Sequence, residues 1–276
     1  MSRVRVAAPA KVNLTLHVTG RRDDGYHEID SLVTFAEVGD VVTVERADVT
    51  TLDVDGPFAD GVPRDDGNLV LRAARLMGVT ARITLTKNLP PASGIGGGSA
   101  DAAATLKGLS DLYDMPLPDH AAAATLGADV PVCLAGGLAR MRGIGERVER
   151  LGPVPATLPM LLVNPGVAVS TPEVFARLER RDNPAMPEVV PSCDDDAFHP
   201  WLAEQRNDLE GPAIAAAPVI AEVLDLLGRQ AGVGLVRMSG SGSTCFALFP
   251  DRRDMAAAQL AVRRARPDWW CVAGGG

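Results

Sequence analysis

Aromatic residues are scarce: Trp, Tyr and Phe together make up 4% of the 276 residues, and only two are tyrosines. No apolar run approaches the ~20 residues needed to cross a bilayer as a helix, which argues against a membrane span. The N-terminus carries Arg3 and Arg5, but Lys11 and Asn13 interrupt any apolar core of a signal peptide. The four cysteines, Cys133, Cys193, Cys245 and Cys271, are far apart, with no C-x-x-C and no paired histidine spacing. That pattern argues against a structural zinc site, and the expectation is a reducing cytoplasm with free thiols. Positive charge is also short: 27 Lys and Arg face 35 Asp and Glu, for a net charge of -8. A sequence-independent nucleic-acid binder needs the opposite sign. What remains is a chain with 46% hydrophobic and 22% charged residues, close to a globular average. A disordered chain, a collagen and a coiled coil are excluded. At ~150 residues per domain the length predicts one or two domains.

From Val4 to Val18 every even position is apolar, the period-two pattern of half-buried extended chain. Pro9 is expected to break this run into two strands or to mark a sheet edge. The odd face beyond it carries Lys11, Asn13, Thr15 and His17, a site candidate; on pattern alone a solvated strand face is favoured. Residues 20–27 form a polar, turn-rich loop. Strands are expected at Val41–Val44, Thr51–Val54 and Ala81–Lys87, and a helix at Asn68–Met77 ending at Gly78. Strong helical character follows over Ala100–Tyr113, and again near His120–Leu126. A glycine-rich stretch, Gly136–Gly145, leads toward a strand and a polar boundary around 150–157.

The second half starts with a buried strand, Leu158–Asn164. Ser170-Thr-Pro172-Glu173 reads as a capping box opening a helix to Leu178. Residues 181–200 read as a loop, with Asp194–Asp196 solvated rather than metal-binding. Helices near Asp208–Ala216 and Pro218–Gln230, strands at Leu235–Met238 and Thr244–Phe249, a helix at Arg252–Arg266 and a strand at Trp269–Val272 complete the chain. This order predicts a small α+β domain with helices on one sheet face.

The segment Pro90-Pro91-Ala92-Ser93-Gly94-Ile95-Gly96-Gly97-Gly98-Ser99-Ala100 carries the most chemistry. Glycines between a strand and a helix let backbone N–H groups approach an anion. The helix adds its unsatisfied N–H groups and the positive end of its dipole. A flexible linker would not be fused directly to a long helix. No lysine follows the glycines, so this is not a P-loop. Ser99 stands where a dinucleotide fingerprint needs its third glycine, and no βαβ repeat surrounds it.

Three segments together resemble one family, the GHMP small-molecule kinases. Pro9-Ala-Lys11-Val-Asn13-Leu is similar to the family's N-terminal motif. Pro90 to Ala104 is similar to its phosphate loop, and Ser239-Gly-Ser-Gly-Ser243 to its C-terminal glycine motif. Each is weak alone; their order and spacing are specific. Gly25-Tyr26-His27, Asn68-Leu-Val70, Leu126-Gly-Ala-Asp129-Val-Pro131, Ser170-Thr-Pro172 and Asn207-Asp208-Leu209-Glu210 narrow the resemblance. They match the members that phosphorylate the 2-hydroxyl of a cytidine diphosphate-linked methylerythritol, in the non-mevalonate route to isoprenoids. The likeness runs from Ala8 to about Phe249. Some relatives have a second serine where Ala100 stands, and the stretches before Ala81 and over 181–200 look short.

The resemblance implies an α+β, two-domain GHMP kinase fold. A ribosomal S5 domain 2-like N-terminal domain would span 1–153 and a ferredoxin-like C-terminal domain 154–276, with the active site in the cleft between them. It implies ATP as phosphoryl donor, held by residues 90–100, with Asn68 and Lys87 near the adenosine. Mg²⁺ would arrive mainly on the phosphates, with no protein ligand named. Phosphoryl transfer asks the protein mainly to position its partners and stabilise spread negative charge. Asp129 matches the general base and Lys11 the charge beside it. A structural ion pair without catalytic duty is the plainer alternative. Asn13 matches a substrate contact, Tyr26 and Phe175 the two faces of a cytosine stack, and His27 a partner for the cytosine edge. The expected partner is this small-molecule substrate, with no nucleic acid and no membrane. The rivals are a relative acting on homoserine, mevalonate or a sugar, a nucleotide-binding protein without catalysis, and a dinucleotide oxidoreductase. Gly25-Tyr26-His27 disfavours the first, retention of both Lys11 and Asp129 the second, and Ser99 the third.

Overall fold

The computed structural model describes residues 3–153, 158–192 and 196–274. In chain order the elements are β1 (Arg3–Asn13), β2 (His17–Arg21), β3 (His27–Arg46), β4 (Thr51–Asp55), α1 (Leu69–Met77), β5 (Ala81–Thr86), α2 (Gly97–Tyr113), α3 (His120–Ala124), α4 (Val130–Ala135), β6 (Leu138–Gly143) and β7 (Arg147–Gly152). Then come β8 (Met160–Asn164), α5 (Thr171–Ala176), α6 (Phe198–Glu204), α7 (Glu210–Ala216), α8 (Val219–Gly228), β9 (Leu235–Met238), β10 (Cys245–Leu248), α9 (Arg252–Ala265) and β11 (Trp270–Ala273). They group into two units: residues 1–11, 38–91 and 96–135 in the first, and 12–37, 92–95 and 136–276 in the second.

In the first unit the latter part of β3 pairs antiparallel with β5, with Val44 opposite Ile83, and β4 adds a parallel edge to β5. Asn68 caps α1 with its side chain, and Gly78 ends the helix in the left-handed region at φ 67°, as the sequence leads one to expect. α2 is apolar around most of its circumference, with Ala102, Ala103, Leu106 and Leu109 buried. A helix patterned this way sits inside the protein. Gly108 lets it approach the sheet, since a Cβ there would lie 3.0 Å from Val44.

β1 runs through Pro9 unbroken. The ring fits extended backbone and costs only one N–H. Gly39 of β3 lies against it, so close that a Cβ would stand 2.3 Å from the Ala8 carbonyl oxygen and 2.6 Å from the Pro9 Cα. The odd face beyond Pro9 is not solvated. Lys11, Asn13, Thr15 and His17 are all buried, so alternation fades because both sides of the chain are covered.

In the second unit β2 and the first part of β3 form a hairpin around residues 22–26, with a bulge between Val18 and Gly20. β6 pairs with β3, and β7 with β6. β6 lies inside the glycine-rich stretch rather than after it. The second sheet is antiparallel in the order β11-β8-β10-β9, the 4-1-3-2 arrangement of a ferredoxin-like domain. Leu161 and Val163 of β8, Ala247 of β10 and Cys271 of β11 share one core with Val223 and Leu227 of α8 and Val262 of α9. Trp269 packs in that core. α5 ends at Ala176, two residues short of the expected end, and the capping box is not made. Ser170 gives no side-chain cap, and Glu173 pairs with Arg177 at 2.8 Å instead. Within the expected loop over 181–200, α6 begins at Phe198; Cys193, Asp194 and Asp195 lie outside the described residues.

Candidate active site

In the first unit the Lys11 ammonium donates to Asp129 Oδ2 at 2.8 Å, across 118 positions of sequence. Lys11 stands at the end of β1. Asp129 stands just before α4, a helix absent from the expected elements, whose opening bond runs from the Cys133 N–H to the Asp129 carbonyl at 3.2 Å. Pro131, early in this helix, is suited to a first turn. The pair is lopsided: 6% of the Lys11 side chain is exposed against 33% of Asp129. A buried ammonium thus holds a carboxylate that a ligand can reach. Cys133 is no rival nucleophile, because burial, then the Asp129 charge, pushes its thiol up to about 12.

The glycine loop turns over this pair. Gly96 sits before α2 at φ 64°, and a Cβ there would come within 3.3 Å of the Lys11 Cβ and Cε. The first turn of α2 holds no acidic side chain. Its opening N–H groups have no partner within the helix, and an anion is the complement they lack. The loop thus sets an acid-free helix N-terminus over the lysine stem. Ser99 lies on the side of Gly127, whose added Cβ would be 3.8 Å from its Oγ.

Under α2 lies a buried cluster. Lys87 Nζ bonds Asp101 Oδ2 at 2.8 Å and also Asp40 Oδ2. Asp40 Oδ1 accepts the Leu89 N–H at 2.9 Å and the Asn88 N–H at 2.5 Å. Burial, with the Asp40 charge added, outweighs the Lys87 ammonium and pushes the Asp101 carboxyl up to about 7. Burial opposes the charge on Lys87, but Asp101 and Asp40 together hold its pKa above the ordinary value. The Lys87 side chain is therefore engaged from below the loop. Asn68 is engaged too: its Oδ1 accepts the Val70 N–H at 2.9 Å and its Nδ2 donates to the Pro63 carbonyl at 2.6 Å. Asp40 and Asp101 did not stand out in the sequence. The available signal was an acidic residue in the middle of an alanine-rich helix.

In the second unit Asn13 is anchored on two sides. Its backbone N–H donates to Ser239 Oγ at 3.0 Å and its Nδ2 to Ser31 Oγ at 2.8 Å. Its Oδ1 is buried with no partner among the described residues. The Ser239 hydroxyl also donates to the Gly94 carbonyl at 3.1 Å, and the Thr244 N–H to the Ser93 carbonyl at 3.1 Å. The glycine loop is thereby laced at Ser93 and Gly94 to the 239–243 glycine turn. Gly94 is required there: at φ 75° a Cβ would stand 2.5 Å from the Ser239 carbonyl oxygen.

His27 and Phe175 meet as stacked rings, with centroids 4.8 Å apart and planes 21° from parallel. Burial, then the Arg181 and Arg21 charges, lowers the His27 pKa; the ring is neutral at pH 7. Its Nε2 is buried without a partner among the described residues. Tyr26 precedes it at the hairpin turn, 61% exposed, its N–H held by Asp24 Oδ1 at 3.0 Å. The half-buried Phe175 ring, packed against the core of the second unit, also rests on His27, with Tyr26 open to solvent. Among the described residues no group of three or more His, Cys, Asp or Glu side chains is placed to hold a metal ion, and no helix is long and apolar enough to cross a membrane.

Comparison with known proteins matches residues 68–137 to the GHMP kinases N terminal domain and residues 194–268 to the GHMP kinases C terminal domain. The 4-diphosphocytidyl-2-C-methyl-D-erythritol kinase of Cereibacter sphaeroides (strain ATCC 17025 / ATH 2.4.3) is 58% identical over 266 residues, 95% of each chain. The enzyme of that name from Paracoccus denitrificans (strain Pd 1222) is 55% identical over 98% of this chain and 96% of its own. A crystal structure of 4-(cytidine 5'-diphospho)-2C-methyl-D-erythritol kinase superposes with a TM-score of 0.80 at 35% identity, covering 99% of this chain and all of that one (100%). Homoserine kinase from Cytophaga hutchinsonii shares the fold, with a TM-score of 0.68 at 19% identity over 99% of this chain and 96% of its own.

Proposed function

The chain belongs to the GHMP kinase family and is an ATP-dependent small-molecule kinase; we propose that it transfers the ATP γ-phosphoryl to the 2-hydroxyl of 4-diphosphocytidyl-2-C-methyl-D-erythritol, with Asp129 as base and Lys11 as its counter-charge. The observation that carries the residue roles is the 2.8 Å pair between a buried lysine and a reachable carboxylate, set beside a helix N-terminus free of acidic groups.

In this reaction the acceptor oxygen bonds to the γ-phosphorus as the bond to the β–γ bridging oxygen breaks. The hydroxyl proton passes to an Asp129 oxygen, and ADP leaves. Asp129 aligns the hydroxyl and takes its proton late, since a carboxylate is a weak base for an alcohol. The Lys11 ammonium favours negative charge at the same spot throughout, so alkoxide character on the acceptor costs less. Backbone N–H groups at Gly97–Ser99 hold phosphate oxygens, and the left-handed Gly96 directs the chain into that cradle. Mg²⁺, carried on the phosphates, would supply further charge neutralisation; the donor set fits a metal held by phosphate and water rather than by a protein cage.

His27, Phe175 and Tyr26 would form the cytosine wall, with the unpartnered His27 Nε2 available to the base edge and Asn13 Oδ1 to a hydroxyl. A cytoplasmic setting belongs to this reading and is supported by the free, buried thiols of Cys133, Cys245 and Cys271. The test is ADP release with Mg·ATP against the cytidine diphosphate-linked substrate, methylerythritol 4-phosphate, homoserine and mevalonate. Turnover with the first alone is expected. Turnover with another acceptor instead would leave the Lys11–Asp129 chemistry standing and overturn the substrate.

A further inference from the structure

The chain from Phe175, near the end of α5, to Glu188 is a strap in the second unit, pinned close to α5 by Leu178 in the core and bolted down at its far end. The Asn183 N–H donates to the Val18 carbonyl at 3.0 Å, and the Met186 N–H to Asp30 Oδ2 at 3.1 Å. Arg140, on β6, completes the joint. Its Nε donates to Asp30 Oδ1 at 2.8 Å. Its Nη2 donates to Asp30 Oδ2 at 2.7 Å and the Met186 carbonyl at 3.1 Å. Its Nη1 donates to the Pro187 and Glu188 carbonyls, each at 3.0 Å. A guanidinium has five N–H groups, and here every one has a partner. Both charged residues are buried, Arg140 at 2% and Asp30 at 3% exposure.

Burying such a pair is costly, and apolar side chains of similar size would serve stability at least as well. A planar fork fixes geometry in a way they cannot. What it fixes is legible from the strand. Asp30 lies three residues along β3 from His27, and the His27 ring carries Phe175 at the near end of the strap. The two ends of the strap therefore attach to one short piece of β3, one through an aromatic stack and the other through a salt-bridged fork.

We infer that Arg140 is a positioning residue for the cytidine end of the substrate: through Asp30 it anchors the strap, and through the strap it holds Phe175 in place against His27. This rests on the reading of His27 and Phe175 as the cytosine wall. Arg140 touches neither reactant, so its effect falls on the affinity for one substrate alone.

Arg140→Lys keeps the charge and removes the fork. The expected result is a KM for the cytidine substrate raised about tenfold, the scale of one base–aromatic contact, with kcat and the KM for ATP unchanged. Asp30→Leu/Arg140→Met removes both buried charges together, so it stays folded if the single variant does not, and the same split is expected. In the wild type, amide hydrogen exchange at Asn183 and Met186 is expected to be slow before any substrate is added. A rise in both KM values together, no change in either, or loop-like exchange at those amides would overturn the inference. Wild-type protein that leaves the cytidine substrate unphosphorylated would instead overturn the function on which it rests.

Discussion

Asp101→Asn should stabilise the protein, and should do so more at pH 8 than at pH 5. Two carboxylates, Asp40 and Asp101, share the one ammonium of Lys87, and all three are buried. With both acids ionised, one negative charge is left without compensation in a low-dielectric interior, a costly arrangement. The protein relieves it by holding a proton on Asp101, whose pKa is lifted from 3.8 to about 7. At about 1.4 kcal/mol for each pKa unit, that displacement is worth up to about 4 kcal/mol.

The direction follows from where the proton resides. Above pH 3.8 the unfolded chain releases it, while the folded chain keeps it until about pH 7. Across that window the unfolded state binds fewer protons, so stability falls as pH rises and levels off above it. Asparagine is neutral at every pH and keeps an oxygen for Lys87. Its amide group takes the place of Asp101 Oδ1, which is buried without a partner among the described residues. The assay is urea unfolding of both proteins at pH 5, 6, 7 and 8. Other carboxylates titrate alike in the two and cancel in the difference. The advantage of the variant should grow through this range toward a ceiling of about 4 kcal/mol. A difference that stays constant with pH, or shrinks as pH rises, would refute the reasoning.

Asp129→Asn should lower kcat by roughly 10²–10⁴-fold while ATP binding, followed by titration calorimetry, is retained; near-normal turnover would remove Asp129 as base. Gly94→Ala should destabilise the fold by more than about 1 kcal/mol, because the residue sits at φ 75° with its Cβ direction filled by the Ser239 carbonyl, and the KM for ATP should rise with it. The KM for the cytidine substrate should be flat from pH 8 to 6.5 and rise only below it, since the His27 pKa is lowered; a rise beginning above pH 7 would show a protonated ring at work. Phe175→Ala should raise that KM by ~5–100-fold and leave the KM for ATP alone; equal weakening of both would take the stacking role away from Phe175.

Local chemistry made much of the fold legible. Asn68 and Gly78 bracket α1 because an amide cap and a left-handed glycine are nearest-neighbour effects, and both sit where the sequence puts them. The order of β8, β9, β10, α9 and β11 was legible for the same reason. The departures come where tertiary packing overrules a local rule. Pro9 does not break β1 because Gly39 offers the space for an unbroken strand. The Ser170 capping box is a separate departure, local in kind: no side-chain cap forms, and Glu173 pairs with Arg177 one turn on. The Lys11 face is buried because chain from far along the sequence covers it, as the Ser239 hydroxyl covers Asn13.

The candidate site divides along the same line. Glycine loops announce themselves, since close backbone approach excludes every side chain and leaves a run of one residue type. The Lys11–Asp129 pair spans 118 positions, and no periodicity joins residues that far apart, so only resemblance to a family could join them. The Lys87–Asp40–Asp101 cluster and the Arg140–Asp30 joint had neither kind of support. Each depends on burial turning an ordinary surface residue type into a costly interior one, and burial belongs to the folded chain. Such groups are the ones to seek first in a structure: a charge kept in the interior against its solvation cost is held there by a geometric requirement that the one-dimensional pattern does not carry.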